Sequence, residues 1–266
     1  MKHWKRFVVK VGSSTICHEN GTVNFRFLDR LARVLSDLKN LEYEIAIVSS
    51  GAVAVGFPKM GLEHKPQDIP GKQAAAAVGQ CELMFLYDKF FGDYGHTTAQ
   101  LLLTRDVIEN EIRHNNVLNT FQSLFASGVI PIINENDTVA YEEIVFGDND
   151  SLSAIVASLV GADGLVLFTD TDGLYTANPK LDPSAKRIPI VHKVDASIEA
   201  VAGGVTSMIG TGGMITKVHA ARYCMERGIE TVIMQGQEPE LLYQILEGKN
   251  IGTRFIPSTP EEKEEK

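Results

Sequence analysis

Short apolar runs recur along the chain at Phe7 to Val11, Ile45 to Val48, Leu101 to Leu103, Val129 to Ile133, Leu165 to Phe168 and Thr231 to Met234. They are rich in β-branched residues and do not alternate with polar ones, the pattern of strands covered on both faces. Stretches of helical spacing lie between them. The clearest puts Phe27, Leu28, Leu31, Val34, Leu35 and Leu38 on one stripe. Others run from about Gln80 to Phe91, Asn116 to Ala126, Ser151 to Val160, Met214 to Arg227 and Pro239 to Glu247. Strand and helix alternate throughout, which predicts an α/β fold with a mainly parallel sheet and helices on both faces.

Three segments fit neither pattern: Phe57 to Lys72, Glu135 to Asp150 and Thr171 to Val194. They are too long for tight connections and read as functional loops or small hairpins. No internal repeat and no Gly/Ser-rich linker divides the chain, so the expectation is one domain over residues 1–257. A charged tail, residues 258–266, follows, with too little apolar surface to pack. In an open α/β sheet, ligands collect beyond the carboxyl ends of the strands.

Composition narrows the function classes. Of 266 residues, 44% are hydrophobic, enough for a substantial core. Lysine and arginine total 25 against 34 acidic residues, a net charge of −9 that repels a phosphate backbone, so nucleic acid is not expected as a partner. Cys17, Cys81 and Cys224 are far apart and in no metal-ligand spacing, which fits buried reduced thiols in a cytoplasmic protein. The longest apolar run, Ala154 to Ala162, is far below the roughly 18 to 20 residues a bilayer requires, so no membrane association is expected.

The unusual residues cluster where strands end. The first strand reads VVKVGSS: Lys10 lies inside a buried apolar run, then Gly12, Ser13 and Ser14 leave the sheet. An ammonium there needs its charge answered unless the strand is an edge and the side chain reaches water. The turn after it offers N–H groups and hydroxyls to an anion. The second strand runs into Ser49, Ser50 and Gly51, where a serine could cap a helix or a helix N-terminus could receive a carboxylate or phosphate.

Beyond the fourth run come Asn134, Glu135, Asn136 and Asp137, then Asp148, Asn149 and Asp150. One of the latter three could cap the following helix, with Asp150-Ser151 well placed. Seven carboxylates and carboxamides in two clusters also call for a cation: an amino-acid ammonium, a lysine or Mg²⁺. Thr169 and Asp170 end the next strand and suit either nucleotide contacts or an Asx turn. GTGGMITK, Gly210 to Lys217, is not a P-loop, since order and position both differ. It is a glycine-rich turn feeding a helix with Lys217 near its positive end, where an anion is called for. Lys10 and Lys217, beside carboxylate-rich loops, together suit phosphoryl transfer, whose charged transition state needs cations held around it.

VVKVGSS, SSGAVAVG, NENDTV, FGDNDSLSA, FTDTDGLYTANP and GTGGMITK, in this order, resemble the amino-acid kinase superfamily and, within it, the glutamate 5-kinases. The resemblance covers about Arg6 to Phe255 and implies a three-layer αβα sandwich that uses ATP and Mg²⁺ to phosphorylate the side-chain carboxylate of L-glutamate, the first step of proline synthesis. It implies that Lys10 and Lys217 contact the transferring phosphoryl group while Asp150 holds both. Ser50, Gly51, Asn134, Asp137, Asp148 and Asn149 would form the glutamate site. Lys10, Gly12, Ser13, Thr169, Asp170, Thr211, Gly212, Gly213, Met214, Thr216 and Lys217 would form the ATP site, with no direct protein ligand to the metal assigned. Proline as feedback inhibitor, a homo-oligomer and a functional link to glutamyl-phosphate reductase are further implications. Many members carry an additional C-terminal PUA-type domain, which is not expected here because the sequence runs out soon after Phe255. The alternatives are a kinase for acetylglutamate or aspartate, and a non-catalytic sensor of amino acids or nucleotides. A dinucleotide-dependent dehydrogenase is disfavoured because VGSST replaces the three-glycine fingerprint.

Overall fold

All six apolar runs form strands in the computed structural model, which describes residues 4–18, 20–104, 107, 110–139, 149–203 and 213–258. The strands are β1 Arg6–Val11, β2 Glu44–Ser49, β3 Thr98–Leu103, β4 Ile130–Glu135, β5 Gly164–Thr169, β6 Ile190–Val191, β7 Glu230–Gln235 and β8 Thr253–Phe255. The helices are α1 Ser13–Ile16, α2 Phe25–Asn40, α3 Ala52–Lys59, α4 Ile69–Asp93, α5 Glu111–Ala126, α6 Asn149–Leu159, α7 Ala196–Ala202, α8 Met214–Glu226 and α9 Leu241–Leu246.

The chain divides into two compact units, residues 11–149 and residues 1–10 with 150–266. In the first, β3, β4 and β2 lie side by side and parallel, with Gln100 opposite Ile132 and Ile47 opposite Ile132 from the other side. Helix α2 buries the stripe from Phe27 to Leu38, and the Asn24 side chain caps it by accepting from the Phe27 N–H at 3.1 Å. β3 departs from the expected burial on both faces. It is an edge strand, and its alternating exposure leaves Leu102 accessible between buried Leu101 and Leu103.

Helix α4 begins at Ile69, well before the expected Gln80. Pro70 lies in the first turn, where its missing N–H would have had no partner anyway. The Asp68 carboxylate caps the start by accepting from the Gly71 N–H at 2.8 Å. The alanines that follow gave no periodic signal, because both glycine and alanine serve close packing here. A Cβ on Gly56 of α3 would lie 1.8 Å from the Ala75 carbonyl oxygen, and one on Gly79 of α4 would lie 1.8 Å from that of Ala52. The two helix backbones thus touch.

In the second unit the order is β1, β5, β7, β8 and β6, parallel except for the antiparallel β7–β8 pair. β6 and β8, of two and three residues, are too short for a periodic signal. The irregular stretch after β5 folds back through an antiparallel bridge between Tyr175 and Arg187, the small hairpin expected there. Glu230 opens β7 almost fully buried, held by Arg254 Nε at 2.6 Å and Trp4 Nε1 at 3.2 Å. Burial pushes the Cys17 thiol up to about 11 and that of Cys224 up to about 12. Cys81, contrary to the expectation, is exposed on α4.

Candidate active site

The two lysines singled out in the sequence meet on one carboxylate. β1 carries Lys10 in a run of buried residues, α6 carries Asp150 in its first turn, and α8 carries Lys217 in its second. Lys10 Nζ lies 2.7 Å from Asp150 Oδ1 and Lys217 Nζ 3.0 Å from Oδ2. Lys10 and Lys217 are 6% and 5% exposed and Asp150 is fully enclosed. The Thr216 hydroxyl stands 2.7 Å from both Asp150 Oδ2 and the Gly213 carbonyl oxygen, so its single proton serves one acceptor at a time.

This arrangement replaces two local explanations. Asp150 does not cap α6, since its carboxylate turns to the lysines and Thr216 rather than to the helix's own N–H groups. The anion that Lys217 calls for at the start of α8 is, within the protein, Asp150 itself. Burial pushes the Asp150 carboxyl up, but the Lys10 and Lys217 charges and the hydrogen bonds to it prevail and hold it below its ordinary range. A carboxylate so held stays ionised and acts as a brace between two ammonium groups, which would otherwise repel.

A second group of polar residues is built on β2, β4 and Asn149, where α6 begins. Asn149 Nδ2 faces three acceptors: Ser50 Oγ at 2.8 Å, the Ser49 carbonyl oxygen at 3.0 Å and Asn134 Oδ1 at 3.0 Å. Asn134 Oδ1 also accepts from the Glu135 N–H at 2.9 Å, and Asn134 Nδ2 donates to Gln80 Oε1 at 2.9 Å. Ser49 Oγ is 3.0 Å from the hydroxyl of Tyr87. Neither serine caps α3; its N-cap is Gly51, with φ of 103°, a left-handed conformation that favours glycine. Asp137 stands half-buried just beyond β4. Burial pushes its carboxyl up, and the nearby charge of Lys65 only partly offsets this.

Gly12 caps the short turn α1, and Ser13 opens it with its side chain exposed. Thr169 and Asp170 end β5, joined by a hydroxyl to carboxylate hydrogen bond of 3.2 Å, and Asp170 sits 3.7 Å from Lys180 Nζ. Asp170 closes no Asx turn; the side-chain bond in this turn runs from the Thr171 hydroxyl to the Gly173 carbonyl. Gly213 and Met214 begin α8. Asp148, Thr211 and Gly212 lie outside the described residues. Sequence reasoning missed Gln80 and Tyr87, both buried on α4. The available signal was a polar residue inside an alanine-rich apolar helix.

Comparison with known proteins agrees with this architecture. The amino acid kinase family model matches residues 5–235. Glutamate 5-kinase of Clostridium perfringens is 50% identical over 260 residues, covering 96% of this chain and 97% of that protein. Glutamate 5-kinase of Listeria monocytogenes is 49% identical over 265 residues, covering 98% and 96%. Among solved structures, UMP kinase of Bacillus anthracis superposes with a TM-score of 0.65 at 15% identity over 97% of this chain and 98% of that one. Isopentenyl phosphate kinase of T. acidophilum gives 0.63 at 17% identity over 94% and 99%, and both likenesses concern the fold alone. The lysine-braced carboxylate thus stands in a chain that belongs to the amino acid kinase family, in its glutamate 5-kinase branch.

Proposed function

We propose that this protein phosphorylates the side-chain carboxylate of L-glutamate with ATP, giving L-glutamyl 5-phosphate and ADP, the first step of proline synthesis. The observation that carries the proposal is the enclosed Lys10–Asp150–Lys217 cluster in a chain half identical to glutamate 5-kinases. A carboxylate is already a nucleophile at neutral pH, so no general base is required and Asp150 need not act as one. An oxygen of the glutamate side-chain carboxylate attacks the γ-phosphorus as the bond to the β–γ bridging oxygen breaks, releasing ADP. Lys10 and Lys217 meet the charge on the moving phosphoryl group, and Asp150 keeps both ammonium groups in place, so little reorganisation accompanies the reaction.

Ser50, Asp137 and Asn149 bind the amino acid, with Gly51, Asn134 and Asp148 beside them. The raised carboxyl of Asp137 is a group whose ionised form gains from a cation, which the substrate's ammonium supplies. Gly12, Ser13, Thr169, Asp170, Thr211, Gly212, Gly213, Met214 and Thr216 receive ATP. Among the described residues no cluster of three acidic, histidine or cysteine side chains could hold a metal. Mg²⁺ bound with ATP would neutralise charge on its phosphates.

The product is an acyl phosphate, which water destroys, so a reductase that consumes it promptly is the expected functional partner. Proline as a competing end product, a homo-oligomeric state and a cytoplasmic location belong to the same proposal. No described helix is long and apolar enough to cross a membrane.

Hydroxylamine trapping tests the reaction. With ATP and a panel of glutamate, aspartate and acetylglutamate, the expected product is γ-glutamyl hydroxamate, formed with glutamate only. Equal or greater hydroxamate from either other acid would overturn the substrate assignment, and none from any acid would overturn the activity.

A further inference from the structure

Two buried polar side chains of α4, Gln80 and Tyr87, have no part in the reaction proposed above. They are seven residues apart, two helical turns, and so share one face of α4. Each reaches a different strand: Gln80 meets Asn134 on β4, and Tyr87 meets Ser49 on β2. Gln80 is placed with little freedom, because its neighbour Gly79 presses its backbone against the Ala52 carbonyl, three residues after Ser49.

The order of the amides follows from two backbone groups that cannot turn over. The Glu135 N–H can only donate, so Asn134 must offer it Oδ1 and turn Nδ2 to Gln80, which in turn must present Oε1. The Ser49 carbonyl can only accept, so Asn149 must face it with Nδ2, the same group that reaches Ser50 Oγ and Asn134 Oδ1. Asn149 Oδ1 is left on the other side of its amide, and no described residue donates to it. This order carries a cost: Gln80 Nε2 is enclosed, the residue being 8% exposed, and no described residue accepts a hydrogen bond from it. A buried donor left unsatisfied calls for a compensating reason.

We infer that Gln80 is a positioning residue: by accepting from Asn134 Nδ2 it reinforces the order that the Glu135 N–H and the Ser49 carbonyl impose, in which Asn149 turns its oxygen, not its NH₂ group, to the ligand. An acceptor at that point selects a protonated amine and disfavours an acylated one. The inference rests on the glutamate-kinase assignment, in which Asn149 binds the amino acid. It adds that recognition of the free ammonium is set in part from α4.

The test compares Gln80→Met, which removes the acceptor, with Gln80→Glu, which keeps one. In Gln80→Met the KM for glutamate rises at least about fivefold, the effect of one lost hydrogen bond, while kcat and the KM for ATP stay within about twofold. The preference for glutamate over acetylglutamate in kcat/KM falls by a similar factor. Gln80→Glu restores the glutamate KM to within about twofold of the unmodified protein. An unchanged glutamate KM in Gln80→Met, or an equal rise in both KM values, overturns the inference. If Gln80→Met does not fold, Gln80→Glu alone carries the test: it keeps the acceptor toward Asn134 and removes the unsatisfied donor, so a roughly tenfold rise in the glutamate KM refutes the inference. Hydroxamate formed by the unmodified chain, with Gln80→Met indistinguishable from it, removes this inference alone. Absence of hydroxamate with every acid removes the assignment beneath it.

Discussion

Lys217 joins a structural ion pair to the chemistry proposed for it. Enclosed as it is, its ammonium is tolerated because Asp150 answers it, and Asp150 is held below the ordinary carboxylate range by that ammonium and Lys10 together. A depressed folded-state pKa contributes stability that is fully present above the unfolded value, about 4, and lost as pH falls through the lower folded value. Lys217→Met keeps the side chain's length and apolar bulk but removes the charge, so the Asp150 carboxyl moves up towards its ordinary range. The acid limb of unfolding, followed by circular dichroism, should move to higher pH. At neutral pH, kcat should fall at least ~10²-fold through the lost contact with the phosphoryl group. Near-normal turnover would refute the role of Lys217 in transfer. Lys10 and Lys217 were legible in the sequence because charge inside a buried strand, or at the positive end of a helix, needs an explanation. Asp150 was ambiguous, because an acidic residue before a helix is most simply a cap, and only its neighbours in space decide otherwise. Gln80 stood out only as a polar residue in an alanine-rich helix; the role inferred for it was illegible, since that depends on which atoms of Asn134 and Asn149 face which way.

At the scale of elements, the site depends on how closely α3 and α4 approach. Gly56 and Gly79 leave no room between the backbones for even one methyl group. Gly79→Ala raises helix propensity by up to ~1 kcal/mol, but must part the helices, at a cost of about 1–3 kcal/mol or more for overpacking. The expected net result is a lower Tm, with a raised glutamate KM because Gln80 moves with its neighbour. Gly92, in the last turn of the same helix, has nothing within 4 Å of an added Cβ. Gly92→Ala should therefore stabilise by ~0.4–1 kcal/mol without changing KM. Thermal melts of the two variants read the difference directly, and a stabilised Gly79→Ala would refute the close-contact account. The same packing explains why α4 was only half legible. Its C-terminal part carries large side chains such as Leu83, Leu86, Tyr87 and Phe91, all buried, which mark one face. Its run from Ala74 to Gly79 is mostly alanine and ends in glycine, whose small size is what lets α3 approach and what erases the periodic signal. β6 and β8 escaped notice for a different reason, being set by pairing with strands distant in sequence rather than by any pattern of their own.

For the molecule as a whole, the telling feature is that residues 1–10 belong with residues 150–266. β1 pairs in parallel with β5, Phe7 opposite Gly164 and Lys10 opposite Leu167, and Gly164 is glycine because a Cβ would meet the Trp4 ring at 2.4 Å. Phe7, Val8 and Val9 are fully enclosed and Trp4 nearly so. Burying such side chains is worth about 1.5–3 kcal/mol each, so the four contribute roughly 6–12 kcal/mol before any loss of β-ladder hydrogen bonds. That is comparable with the whole stability of an ordinary domain, about 5–15 kcal/mol. Deleting residues 1–9 should therefore abolish the cooperative unfolding transition of the unit containing residues 150–266. The check is hydrogen exchange: amides of β5, β7 and α8 should lose protection in the truncated chain, while those of α2 and β4, in the unit of residues 11–149, keep more of theirs. Retained protection in β5 and β7 would mean that the N-terminal strand is an accessory. The same topology brings Lys10 and Lys217 from distant parts of the sequence to Asp150, because Lys10 can reach it only when the N-terminal strand has joined β5. Formation of the proposed phosphoryl-transfer site is then inseparable from the most non-local pairing in its unit, a step that loop-closure entropy makes slow.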